Sequence, residues 1–454
     1  MPDTIAAIAT GTQLTAIGII RLSGPDTLRA VDAVFSPLSG KPMSTRPDRQ
    51  LCLGRLTGTD GRTLDVCLCT VSRAPHSYTG EDTAELQCHG SPMVLRLGLE
   101  ALFAAGVRQA KPGEFTRRAF LNGCLDLTQA EAVIDLIEAQ TPEAACNAAG
   151  QLEGAISRKT DRIYEQLLEI VSHYQAAVDF PEDDVEEFAL AKHEKTLSSA
   201  ADSLRRLLDS FERGKLMQEG IPAAILGRPN AGKSSLLNAL LGYERAIVTD
   251  VPGTTRDTIC ERLRLGPVLL RLTDTAGLRQ TDDPVEAIGV SRALDAAHHA
   301  SLVLAVFDGS APASPEDSSV VDQACSAPCA IAVISKHDLP ERFVLPRSEG
   351  FAAVCRVSAK TGEGLDQLTA AVAACFPMPE APVGEILTNT RQAHAVGSAL
   401  EAIQAAQNAI HSGLTPDAVL SCVEQAMQAL GTLNGRTVCQ DVTERIFSRF
   451  CVGK

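Results

Sequence analysis

One octapeptide constrains this chain more than any other feature. Gly227-Arg-Pro-Asn-Ala-Gly-Lys-Ser234 fits the pattern G-x-x-x-x-G-K-[ST]. An apolar run, residues 221–226, precedes it, and a helical run, residues 236–241, follows it. A strand, a glycine-rich turn and a helix in that order make a P-loop. Its backbone N–H groups wrap phosphates at a helix N-terminus. Lys233 suits the β- and γ-phosphates, and the Ser234 hydroxyl suits Mg²⁺. From about residue 220 to residue 375, apolar strands alternate with helical runs, which predicts a parallel-leaning βαβ sheet.

The flanks have a different texture. The chain has 454 residues, enough for two to four domains of roughly 100–200 residues each. Residues 1–120 mix strand-like runs (15–22 and 66–71) with a helical stretch at 91–105, an α+β pattern. Ala, Glu, Gln and Leu dominate residues 121–218, and long helices are expected. An acidic stretch, residues 181–187, reads as a solvated loop or helix start. The helical texture returns over residues 380–454, after the proline-rich stretch 376–382. The expected fold is therefore multidomain. An α/β P-loop domain, residues 219–379, is inserted into an all-α domain, which follows an α+β N-terminal domain.

Charge and cysteine usage narrow the function classes. The net charge of -15 opposes non-specific binding of nucleic acid by the whole surface. Trp is absent and aromatics are only 4%, which argues against a base-stacking platform. No apolar run reaches the roughly 18 residues of a membrane span, and no secretory signal is visible, so a cytoplasmic protein is expected. The 14 cysteines are scattered and read as reduced thiols. Cys67-x-Cys69 and Cys325-x3-Cys329 are the close pairs. Neither has a second Cys/His pair at zinc-site spacing, so buried or incidental thiols are the expectation.

Four further elements follow the P-loop in order. These are Gly253-Thr-Thr-Arg-Asp257, Asp274-Thr-Ala-Gly277, Ser335-Lys-His-Asp338 and Ser358-Ala-Lys360. Together they resemble the five G motifs of translation-factor-like GTPases. That resemblance implies that Asp338 accepts from guanine N1 and N2 and so selects GTP over ATP. Ser335 stands where these GTPases usually carry Asn, and Leu278 stands where Ras-like enzymes carry a water-orienting Gln. Other motifs are Tyr78-Thr-Gly-Glu-Asp82, Glu85-Leu-Gln-Cys-His-Gly90, residues 112–122, residues 125–132, and Phe450-Cys-Val-Gly-Lys454. With them the whole chain resembles the bacterial tRNA modification GTPases of the MnmE (TrmE) family, in the TrmE-Era-EngA-like class.

The resemblance implies a homodimer that acts with an FAD-dependent partner, MnmG, on tRNA. It implies a (carboxymethyl)aminomethyl group installed at C5 of the wobble uridine, U34, with a one-carbon unit from 5-formyl- or methylene-tetrahydrofolate. GTP hydrolysis would drive G-domain dimerisation. The implied GTP-binding residues are Asn230, Ala231, Gly232, Lys233, Ser234 and Ser235 of the P-loop. A loop of Thr249, Asp250, Val251, Pro252, Gly253, Thr254 and Thr255 joins them, with Asp274, Thr275, Ala276 and Gly277. Ser335, Lys336, His337 and Asp338, then Ser358, Ala359 and Lys360, complete the nucleotide set. Mg²⁺ falls to Ser234 and Thr255, and K⁺ to Asn230, Thr249, Val251 and Thr254. A large monovalent cation there would place positive charge where an arginine finger otherwise acts. Glu286 takes the family's water-orienting role, with Lys233 as the other catalytic residue and Arg279 in a supporting one. The implied folate site is Arg21, Glu85, Lys454 and the position of Cys124, where the family commonly has Lys.

On residues alone, Asn230 reads as a turn residue, and Glu286, Arg21 and Glu85 as surface charges. Cys451, a near-terminal thiol, invites a nucleophile reading, but a free thiol is the more ordinary one, and its chemical role stays open. Two other readings fit parts of the pattern: a regulatory GTPase of ribosome assembly, and an N-terminal domain that only dimerises.

Overall fold

The computed structural model describes residues 3–11, 13–179, 187–243, 260–273, 300–377, 382–437, 440–448 and 450–453. The chain divides into two compact units, one of residues 1–134, 156–165 and 427–454, the other of residues 135–155 and 166–426.

The first unit is built on a seven-stranded sheet. In chain order its strands are β1 (Ile5–Ile8), β2 (Ile17–Ser23), β3 (Phe35–Pro37), β4 (Cys52–Thr57), β5 (Thr63–Ser72), β6 (Thr83–His89) and β7 (Arg108–Gln109). Across the sheet the order is β3-β4-β5-β6-β2-β1-β7. All neighbours are antiparallel except β1 and β7. Period-two alternation sends Ala84, Leu86 and Cys88 of β6 inward, beside Cys67, Cys69 and Val71 of β5. Helices α1 (Thr27–Val34) and α2 (Pro92–Ala104) supply the other half of that core through Ala30, Val31, Leu95 and Leu102. Beyond the sheet lie α3 (Glu114–Leu121) and α4 (Leu127–Glu138). Phe120 packs near Phe447 and Phe450 around the buried Ala130.

The second unit carries α5 (Pro142–Leu152), most of α6 (Ala155–Asp179), α7 (Glu187–Asp209) and α8 (Phe211–Glu219). A six-stranded sheet follows, of β8 (Ile221–Leu226), β9 (Cys260–Leu265), β10 (Val268–Thr273), β11 (Leu302–Asp308), β12 (Ala330–Ser335) and β13 (Ala353–Arg356). Its order is β13-β12-β11-β8-β10-β9, parallel except for the hairpin β9–β10. β11 and β12 are buried along their whole lengths, as strands covered on both faces must be. Helices α9 (Lys233–Tyr243), α10 (Pro315–Ala324) and α11 (Leu365–Cys375) accompany this sheet, and α12 (Thr390–His411) and the first half of α13 (Pro416–Asn434) come after it; the rest of α13 and α14 (Gln440–Phe447) belong to the first unit.

Residues 384–388 return to the helices that precede the sheet. Asn147 Oδ1 accepts from the Gly384 and Ile386 N–H groups at 3.0 and 3.3 Å, and Gln151 Nε2 donates to Ile386 O at 2.6 Å. Ser210 Oγ accepts from Leu387 N at 3.1 Å, and Thr388 donates to Asp135 at 2.8 Å. A Cβ on Gly150 would lie 2.8 Å from Gly384 Cα, so this close backbone approach requires glycine.

The expected strands at 221–226 and 330–334 lie where the sequence placed them, and the expected 66–71 strand extends to Thr63–Ser72. The acidic stretch falls almost wholly outside the described residues.

Candidate nucleotide and N-terminal sites

The carboxyl ends of parallel strands are where a doubly wound sheet binds ligands. The P-loop leaves β8 at that edge. Gly227 has φ +153°, and an added Cβ would meet Val306 O at 2.4 Å. Asn230 and Gly232 have φ of 59° and 99°, left-handed turns that aim successive N–H groups into one concavity. Asn is among the few L-residues that accept such a φ. The first turn of α9 then carries Lys233 and Ser234 to the same place. Lys233 Nζ donates to Gly227 O and Arg228 O, each at 2.8 Å, which holds the ammonium inside the loop. These donors fit the β- and γ-phosphates of a nucleotide.

Ser335 ends β12. Its buried hydroxyl donates to Ala231 O at 2.6 Å. The shorter side chain thus still ties this motif to the P-loop. Gly232 leaves the room, since a Cβ there would stand 3.1 Å from Ser335 Oγ. Ser335→Ala should leave the buried Ala231 carbonyl without this partner, at a cost of about 1–3 kcal/mol. Thermal unfolding and nucleotide titration of that variant should show both a lower Tm and weaker binding. An unchanged affinity would mean that the tie does not shape the loop.

Asp338 Oδ1 accepts from Ser358 Oγ at 2.8 Å. That hydrogen bond lowers the pKa of the exposed Asp338 carboxyl and fixes it as an anionic acceptor. Lys336 has φ 57°, and its ammonium pairs with Asp308 at 2.6 Å. Burial opposes ionisation of Asp308, but Lys336 and two hydrogen bonds from Ser310 outweigh it and lower its pKa. Asp308 was not legible beforehand, because it ends a strand with no motif around it. His337 N bonds Val357 O at 3.3 Å, and Thr361 N bonds the buried Ser358 Oγ at 3.2 Å. Ala359 and Lys360 lie in the same turn.

Thr249 to Thr255, Asp274 to Gly277, Arg279 and Glu286 lie outside the described residues, as does Lys454. Of the expected K⁺ and Mg²⁺ sets, only Asn230 and Ser234 are described.

In the N-terminal sheet, Arg21 of β2 stands directly opposite Glu85 of β6. They form an ion pair at 2.9 and 3.0 Å, part-exposed on both sides. The Arg21 guanidinium also lies 5.7 Å from the Tyr78 ring centre and 5.9 Å from that of Phe115. Tyr78 bonds Thr116 at 3.0 Å, and burial raises its phenol pKa. Glu81 is held by Ser23 at 2.7 Å and Arg118 at 2.9 Å. Exposed Cys124 sits beside this loop, since a Cβ on Gly80 would meet its sulfur at 2.9 Å. The 451–453 tail lies against the same domain. Val452 bridges Pro112, Gly113 N bonds Cys451 O at 3.4 Å, and a Cβ on Gly453 would meet Ile8 O at 2.3 Å. Cys451 is an exposed free thiol. Phe115 and Arg118 were missed as individuals, though both fall in the quoted run 112–122.

A P-loop leaving a central parallel strand, tied to a Ser-Lys-His-Asp strand end, defines a P-loop nucleotide-binding protein of the GTPase type. Two family models match the chain: "GTP-binding protein TrmE N-terminus" over residues 4–124 and "MnmE helical domain" over residues 127–451. Proteins described as tRNA modification GTPase MnmE are similar along the full length. That of Symbiobacterium thermophilum is 45% identical, covering 100% of this chain and 99% of its own. That of Roseiflexus sp. is 42% identical, covering 100% and 99%. That of Chloroflexus aurantiacus is 42% identical, covering 100% of both. The chain belongs to the MnmE family of tRNA modification GTPases.

Proposed function

We propose that this chain is a K⁺-stimulated GTPase that serves C5 modification of the tRNA wobble uridine, U34, with an FAD-dependent partner of the MnmG type. Full-length similarity to tRNA modification GTPases carries this reading. The nucleotide-site geometry supports its GTPase half. Lys233 would meet the β/γ-phosphates and Ser234 the Mg²⁺ ion, joined by Thr255. Asp338 would read guanine. Mg²⁺ and K⁺ supply positive charge at the leaving phosphates when bound. Asn230, with the backbone of Thr249, Val251 and Thr254, would hold K⁺, and Glu286 would orient the attacking water.

The division into a domain of residues 1–120, a helical domain of residues 121–218 and 380–454, and an inserted G domain of residues 219–379 belongs to the same proposal. It is supported by the hydrogen bonds from residues 384–388 back to Asp135, Asn147, Gln151 and Ser210.

The N-terminal site fits a tetrahydrofolate derivative. Glu85 would pair with the N–H edge of the pterin, Arg21 would position that carboxylate, and Lys454 would meet a folate carboxylate. Cys124 supplies no charge there. The bound folate would supply the one-carbon unit. The outer face of the sheet supports pairing with a second copy, because Leu53 and Val66 are exposed on it. Among the described residues no helix is long and apolar enough to cross a membrane. We place the protein in the cytoplasm with its tRNA substrate.

GTP hydrolysis measured in KCl and in NaCl at equal ionic strength tests the cation site. K⁺ should accelerate the reaction at least about 10-fold, and Asn230→Ala should abolish the difference. Equal rates would remove K⁺ from the mechanism. A regulatory GTPase of ribosome assembly is the second reading. The match to the TrmE N-terminal model disfavours it.

A further inference from the structure

The N-terminal sheet holds a second cluster of ligand-type side chains. Asp65 and Cys67 stand two residues apart on one face of β5, and Cys88 comes from the neighbouring strand β6. One carboxylate oxygen and the two sulfurs all lie within 4.8 Å of one another. Among the described residues no other trio of His, Cys, Asp or Glu converges in this way. Cys67 and Cys88 are buried at 4% and 2% exposure, and the Asp65 side chain is only 9% exposed. The carboxylate is held from outside, with Oδ2 accepting from His89 N at 2.8 Å and Oδ1 lying 2.8 Å from His89 Nδ1.

Three groups that each carry negative charge when ionised are a costly set to gather in an apolar core. The Cys88 thiol responds accordingly. A hydrogen bond with Cys67, burial and the Asp65 charge all push its pKa up. A divalent cation reverses that cost, because a coordinating thiol loses its proton outright. Two thiolates select a thiophilic ion over Mg²⁺ or Ca²⁺. Zinc bonds to sulfur at about 2.3 Å place two sulfurs of a tetrahedral site roughly 3.7 Å apart. The three donor atoms already lie within 4.8 Å of one another. Ligating carboxylates are themselves hydrogen-bonded from outside the metal's ligand set, which is the place His89 takes.

We propose that Cys67, Cys88 and Asp65 bind one Zn²⁺ ion, with a water molecule as fourth ligand and His89 holding the Asp65 carboxylate. Sequence spacing hides the site, because Cys88 lies 21 positions beyond Cys67 and becomes its neighbour only through the β5–β6 pairing. Both thiols give their protons to solvent as the two Zn–S bonds form, so each ion taken up releases two protons. The site fastens β5 to β6, the strand that carries Glu85.

The test uses the full chain, reduced and stripped with a chelator, then titrated with ZnCl₂ against a chromophoric chelator. We expect one tightly bound equivalent and two protons released in weak buffer. Cys67→Ala and Cys88→Ala should each lose that equivalent. Cys69→Ala should keep it, since Cys69 lies on the same strand and face but outside the trio. His89→Ala, at an exposed position, should weaken Zn²⁺ about 10–100-fold. Co²⁺ in place of Zn²⁺ should give a thiolate charge-transfer band that Cys88→Ala removes. The proposal is overturned if the wild-type chain binds no more zinc than Cys67→Ala. Equal loss in Cys69→Ala would reduce the binding to general thiol affinity. A Cys67–Cys88 disulfide in the protein isolated without reductant would replace the metal site with a redox pair.

Discussion

Asp338→Asn should exchange guanine for xanthine as the preferred base. The carboxylate is kept anionic by the Ser358 hydroxyl, so it offers acceptors only. Guanine N1–H and its 2-amino group are donors and match it. Asparagine brings an N–H₂ group that opposes the guanine amino group and suits the xanthine C2 carbonyl. A site built around a substrate's hydrogen bonds rejects a mismatch strongly, so GTP affinity should fall about 10²–10⁴-fold. XTP affinity should rise by competition against a fluorescent nucleotide. Because the Asp338 pKa is depressed, acid should weaken base recognition only below the ordinary carboxylate range, as the carboxylate takes up its proton. Unchanged GTP affinity in the variant would show that Asp338 does not read the base.

Lys233→Ala carries the second large effect. The ammonium lies 2.8 Å from two P-loop carbonyls, at the point where phosphate charge would develop. Its removal should cut kcat for GTP by about 10²–10³-fold or more. Lys233→Arg should not restore the rate, because a planar fork does not replace a compact point charge inside a tight loop. Circular dichroism should show the helical content intact in both variants. Hydrolysis near the wild-type rate in Lys233→Ala would move the chemistry away from the P-loop.

The sequence made some of this readable and hid the rest for physical reasons. The P-loop was readable because every group it needs is local. Glycines, Lys233 and Ser234 fall within eight residues, between a strand and a helix. The strands β8 and β12 were readable because a strand buried on both faces is a continuous apolar run. Ser335 was flagged as a departure from Asn. Only three dimensions reveal its bond to Ala231 O, a partner 104 positions away. Asp308 stayed hidden for the same reason, since its partner Lys336 immediately follows the next parallel strand. The Arg21–Glu85 pair needed the β2–β6 register, and the rings of Tyr78 and Phe115 beside it needed the fold. Cys67 reads from sequence as a buried or incidental thiol, because no second Cys/His pair stands at zinc-site spacing. Strand pairing gives it Cys88 instead.

The central claim joins GTP hydrolysis on this chain to chemistry on tRNA. It is tested most directly in a strain lacking its own MnmE-family gene, complemented with this chain or with its Lys233→Ala variant. Nucleoside digests of the tRNA should contain C5-aminomethyl or carboxymethylaminomethyl uridine with the wild-type chain, and unmodified C5 with the variant. Unmodified tRNA in both strains, with both proteins expressed and soluble, would contradict the account.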